Sequence, residues 1–137
     1  MGCNSHLAIE YKVTYSHNNQ SYWFVFGTNI AESMDYSLYA FMAGVRNYHE
    51  VAPIAEPRGV PKGASWEYRD MVEKAGSDGH SHSWLLVKEF RQAFNAAIGK
   101  YADYKPAKEW QAVRKCMEML EELYGEDNVR LCFFFDN

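Results

Sequence analysis

Cysteine is sparse in this chain. Only Cys3, Cys116 and Cys132 occur in 137 residues, with no CxxC spacing. That excludes a disulfide framework and fits a reducing compartment. Positive charge is also in deficit, with 14 Lys and Arg against 18 Asp and Glu and a net charge of −4. A protein that coats long nucleic acid is therefore excluded, although a small phosphorylated ligand in a local basic pocket is not. No apolar run reaches the ~18 residues of a membrane span. The N-terminus lacks the basic start and apolar core of a secretory signal. Met1-Gly2 also opens a lipidation motif, but that motif wants Ser or Thr where this chain has His6. Prolines number only four, and three of them fall within residues 53–61. Repeats and low-complexity tracts are absent.

Aromatic residues are plentiful: ten Tyr, eight Phe and four Trp. Nearly half the residues are apolar, so the chain can bury a core as a single domain spanning residues 1–137. Exposed aromatics would be free to stack on nucleobases.

Residues 6–15 alternate strictly. Leu7, Ile9, Tyr11, Val13 and Tyr15 take one face; His6, Ala8, Glu10, Lys12 and Thr14 take the other, as in a half-buried strand. After the polar turn 16–20, Ser21 to Gly27 reads as a second strand, and the two form a hairpin. Asp35 caps a short helix over 36–43 that Gly44 closes. Residues 53–61 are a stiff, proline-fixed connection presenting Glu56 and Arg58. A second short helix runs to Ala75 and stops at Gly76.

A helix is expected over 84–98, capped by Ser83, with Leu86, Phe90, Ala93, Phe94 and Ala97 on one side. The longest helix follows Pro106 and runs to Tyr124, with Trp110, Val113, Met117, Leu120 and Tyr124 at helical spacing. Val129 to Phe135 is a very apolar last strand, expected in the centre of the sheet. The fold class is α+β: a small antiparallel sheet of about three or four strands, packed on one face by the two long helices, with short extra helices.

The stretch Asp78-Gly79-His80-Ser81-His82-Ser83-Trp84 concentrates the chemistry. Two histidines at i, i+2 in extended backbone point to one side. Beside a helix starting at Trp84 they would flank free N–H groups and the positive dipole end, a seat for an anion such as phosphate. His6, Glu10, Arg58, Asp78 and Asp136 fall at ends of expected elements, where polar side chains converge. The candidate catalytic residues are His6, Glu10, His80 and His82, with His82 as base and His80 as acid. Arg58, Asp78, Ser83, Trp84 and Asp136 are candidate ligand contacts. His6, His80 and His82, with Asp78 or Cys3, are also candidate ligands for zinc or manganese. The plain alternative is that the HxH pair only hydrogen-bonds a helix end.

Several blocks occur in a characteristic order: Met1-Gly2-Cys3-Asn4-Ser5-His6 with Glu10, Ala43-Gly44-Val45-Arg46-Asn47, Pro53 to Gly59, Asp78 to Leu85 with its Gly-His-Ser-His-Ser-Trp core, Val129-Arg130-Leu131, and Phe135-Asp136-Asn137. This order resembles a family of small bacteriophage proteins that usually open Met-Gly-Cys-Asp-x-His. The present chain departs from it at Asn4. The resemblance implies a phage origin and a host bacterial cytoplasm setting. The residues then fit three functions. One is a counter-defence enzyme that cleaves a phosphodiester or pyrophosphate in a small nucleotide immune signal. Another is a binder that sequesters such a nucleotide or blocks a host defence protein. The third is a histidine-ligated metal site.

Overall fold

The computed structural model describes residues 2–137; Met1, the first residue of the opening motif, lies outside the described residues. Strands β1 (Asn4–Thr14), β2 (Ser21–Thr28), β3 (Gly79–Leu86) and β4 (Val129–Asp136) make one antiparallel sheet in the order β2-β1-β4-β3. Four helices accompany it: α1 (Tyr36–Ala43), α2 (Trp66–Ala75), α3 (Val87–Lys100) and α4 (Lys108–Tyr124). The fold is α+β, as the patterning predicts.

Alternation along β1 and β4 divides the interior. Leu7 and Ile9 of β1, with Leu131, Phe133 and Phe135 of β4, face a large core that also takes Leu38, Phe90, Phe94, Trp110 and Met117 from α1, α3 and α4. Burying each such side chain contributes about 1.5–3 kcal/mol. Ala8, Cys132 and Phe134 point the other way, into a smaller core closed by Ala64 and Tyr68. The second face is therefore covered as well, by α2. Tyr68 is fully buried there and donates its hydroxyl to the Phe133 carbonyl at 2.8 Å. With apolar partners on both sides, β4 is buried from Val129 to Phe135, which is why its sequence is apolar without alternation.

The short helices follow their caps. Asp35 accepts from the Leu38 N–H at 2.9 Å, and Gly44 takes the left-handed conformation that ends α1 (φ 72°). Ser65 caps α2. The expectation of a helix beginning at Trp84 is corrected. Residues 79–86 are a strand paired with β4, and α3 starts only at Val87. Trp84, Leu85 and Leu86 extend the alternating burial begun at Ser83, and an apolar run of this length suits either state. Glu89 fixes the true start by accepting from the Leu86 N–H at 3.0 Å.

One ion pair lies inside the second face. Glu10 is fully buried and Arg130, its cross-strand partner on β4, nearly so; Arg130 Nε meets Glu10 Oε1 at 2.7 Å. The Cys132 thiol donates to the same oxygen at 3.2 Å, and the Ser65 N–H donates to Oε2 at 2.7 Å. The guanidinium lies 3.7 Å from the Trp23 ring centroid. Removing one partner of such a pair strands a charge in low dielectric. Glu10→Ala is therefore expected to lose about 3–5 kcal/mol of folding stability. Urea unfolding monitored by tryptophan fluorescence measures this, and a loss below about 1 kcal/mol contradicts a structural role for the pair.

Candidate functional site

The histidine stretch is a bulged strand. His80 pairs with Phe135 and Ser83 with Phe133, so Ser81 and His82 together oppose Phe134. Ser81 carries the extra residue in a left-handed conformation (φ 55°). The insertion reverses the facing of everything after it. His80 and His82 consequently point to opposite faces of the sheet, which corrects the expectation of one shared side. His80 tilts over Phe135, with ring centroids 6.3 Å apart, whereas His82 stacks on Phe134 at 5.1 Å.

His6 stacks on Phe134 from the neighbouring strand, 4.7 Å away with rings inclined by 12°. Phe134, itself fully buried, is flanked by an imidazole from each adjacent strand. His6 Nε2 lies 2.5 Å from Asp136 Oδ2, and the Asn4 side-chain amide donates to Asp136 Oδ1 at 3.5 Å. His80 Nε2 lies 3.1 Å from Asn137 Oδ1, and its Nδ1 3.0 Å from the Ser81 hydroxyl. The structure thus gathers His6, His80, His82 and Asp136 at one end of the sheet, but not around a common point.

Three other candidates have structural partners. Glu10 is held by Arg130, Cys132 and Ser65, further along β1. Arg58 makes a two-pronged bond to Glu89, with NH1–Oε1 at 2.9 Å and NH2–Oε2 at 2.5 Å. It also donates to the Trp84 carbonyl at 3.0 Å and lies over the Trp84 ring. Its charge is thus engaged by a carboxylate and a ring, so the expected phosphate contact has no open fork. Ser83 is buried and accepts from the Arg58 N–H at 3.0 Å; it does not cap a helix. The anion seat expected beside the imidazoles is not formed, because α3 begins five residues past His82 and the Glu89 carboxylate stands at its start, accepting from the Leu86 N–H. Asp78 is exposed in a tight turn before β3.

Among the described residues, no group of three or more His, Cys, Asp or Glu side chains is arranged to hold a metal ion. His6, His80 and His82 therefore do not fit a zinc or manganese set.

A cavity of about 530 Å³, lined by Ser33, Asp35, Tyr36, Ser37, Tyr104 and Lys105 among others, escaped the sequence reading. Its size falls in the range of small-molecule sites. The Cys3 N–H donates to the Tyr36 hydroxyl at 3.0 Å, which ties this cavity to the start of β1, next to Asn4. Tyr104 donates to Asp35 at 2.5 Å; burial first, and then that carboxylate, hold its hydroxyl protonated far above the usual tyrosine range. Arg46 lies 5.5 Å from the Tyr36 ring on the adjoining side. Tyr36 belongs to a capped helix and Tyr104 to an irregular connection, so nothing in their spacing signals a shared wall.

A comparison with known proteins finds no matching family model, no matching curated protein and no matching solved structure.

His82 supplies a pH test. Its Nε2 is buried without a hydrogen-bond partner. Burial, and secondarily His80, lower its pKa from the ordinary 6.5. The unfolded chain therefore takes up this proton at higher pH than the folded one. The resulting stability is full above the unfolded value and is lost as pH falls through the lowered one. Melting temperature should drop between about pH 7.5 and pH 5 in the wild type, and drop less in His82→Phe, which keeps the stack on Phe134 without a titrating nitrogen. Parallel pH profiles for the two proteins would contradict this assignment.

Proposed function

We propose that the chain is a phage counter-defence protein that binds a small nucleotide, of the kind a host uses as an immune signal, and retains it intact. The observation that carries this is the cavity tied to the start of β1 through the Tyr36 hydroxyl. Tyr36 and Tyr104 offer ring faces to a base, while Lys105 offers positive charge to a phosphate. The phage setting rests on the resemblance of the sequence blocks. A host bacterial cytoplasm fits it, and among the described residues no helix is long and apolar enough to cross a membrane.

Retention is favoured over cleavage by the placement of the histidines. An acid and a base must both reach the reacting phosphate. His6 and His82 are held apart by the ring of Phe134, His82 Nε2 is buried, and His80 lies on the other face. Arg58 is engaged by Glu89. A second function, histidine-based phosphodiester or pyrophosphate cleavage, is favoured only by the His6–Asp136 pair, in which a carboxylate orients an imidazole.

Titration against linear and cyclic mono- and dinucleotides, followed by chromatography of the recovered ligand, tests both. Binding with intact recovery is expected, and Lys105→Ala should weaken it about tenfold or more, the worth of one charge-assisted hydrogen bond. Cleaved products that disappear in His6→Ala would establish the enzyme instead. No binding to any nucleotide would leave a host protein as the partner and end the nucleotide proposal.

A further inference from the structure

The sheet has two edges, and the chain treats them differently. At β3 the edge is closed. The bulge at Ser81 breaks its line, the Gly59 N–H donates to the His82 carbonyl at 2.7 Å, and the Arg58 N–H donates to the Ser83 hydroxyl. At β2 the one such device among the described residues is a bulge at Phe26. Among the described residues no backbone hydrogen bond from another element reaches Ser21–Thr28 from outside the sheet. Those eight residues, Ser-Tyr-Trp-Phe-Val-Phe-Gly-Thr, contain no charge and no proline. Lysine, proline, a bulge or a covering loop is how proteins ordinarily keep edges from pairing. The one irregularity here, opposite Ile9 and Glu10, leaves Ser21–Val25 in regular register with Thr14–Glu10.

The side chains along this edge also look outward. Tyr15, Tyr22, Phe24 and Phe26 are each roughly two-fifths to one-half exposed. A groove of about 520 Å³ runs past Tyr15, Tyr22 and Phe24, lined also by the oppositely directed neighbours Trp23 and Val25 and by Trp66 and Glu67. A groove bordered by successive residues of an open strand suits another strand, whose backbone would pair with β2 and whose side chains would fall alternately to either side.

We propose that this occupant is β2 of a second copy, paired antiparallel about a two-fold axis into one continuous eight-stranded sheet. The lack of charge on β2 permits self-pairing; of the described residues lining the groove, Glu67 alone is charged. A two-fold axis brings like beside like, and an uncharged strand meets itself in any register without repulsion. Area favours it. A whole aromatic side chain buries about 150–250 Å², so these half-exposed rings and Trp66, which is 67 % exposed, offer on the order of 400–600 Å² of apolar surface. The backbone and polar rim add to that, approaching the ~800 Å² per partner of a specific dimer.

Sedimentation equilibrium on the full chain tests the proposal. The expected result is a mass of twice 15.9 kDa at micromolar concentration. Amide exchange over Ser21–Val25 should slow as protein concentration rises. Phe24→Lys, and independently Tyr22→Lys, should raise the dimer dissociation constant at least ~10-fold, since each dimer loses two apolar contacts and gains two like charges. Circular dichroism identifies a variant that fails to fold; the wild-type mass and exchange data then decide alone. A monomer at all concentrations, an assembly larger than a dimer, or a dimer that survives in folded Phe24→Lys and Tyr22→Lys would each overturn the proposal.

Discussion

The buried pair of Glu10 and Arg130 is the constraint on which the rest of the sheet depends. Two charges inside a protein are tolerated only when each is closely matched. Here the match draws in most of the second face. Arg130 meets Glu10 across the β1–β4 ladder and lies on Trp23 from β2, while the other oxygen of Glu10 holds the backbone at the start of α2. A slip of one residue between β1 and β4 would turn one member of the pair into the large core and leave the other uncompensated. The pair therefore selects a register more than it adds stability, and it seats α2 over Ala8, Cys132 and Phe134 as part of the same solution.

That seating determines what the histidine end can do. With α2 in place, Phe134 is enclosed, and the imidazoles of His6 and His82 serve as its side walls. His6 keeps a polar partner in Asp136, whereas His82 keeps none at Nε2. The polar groups that remain accessible belong to the rim around Asn4, His80, Asp136 and Asn137 and to the neighbouring tyrosine-lined cavity. Such a surface offers hydrogen bonds and aromatic ring faces.

Much of the architecture was legible because it is periodic. The alternation of β1, the helical spacing of α4, the Asp35 and Gly44 boundaries of α1 and the apolar run of β4 each mark an element whose cause is local. The site was less legible, for identifiable reasons. Spacing alone puts His80 and His82 on one side; a single inserted residue at Ser81 puts them on two, and no residue type there demands it. Glu10 reads as a polar position on an outer face until α2 covers that face. Its partner Arg130 is 120 residues away. Arg58 reads as an open cation in a rigid loop, and only the packing of α3 brings Glu89 to it. In each case the missing information was a long-range neighbour.

The position of β4 has a consequence for how the chain reaches this state. It comes after the other three strands in the chain, yet it lies between β1 and β3, and Asn4 pairs with Asp136, 132 residues further on. Until the chain has passed Asp136, β1 and β2 can form only an isolated hairpin, which is marginal in water. Closing such long loops is slow, and the aromatic strands stay uncovered while it happens. Folding speed should then be set by the docking of β4, and the nascent chain should depend on chaperones for as long as that strand is missing.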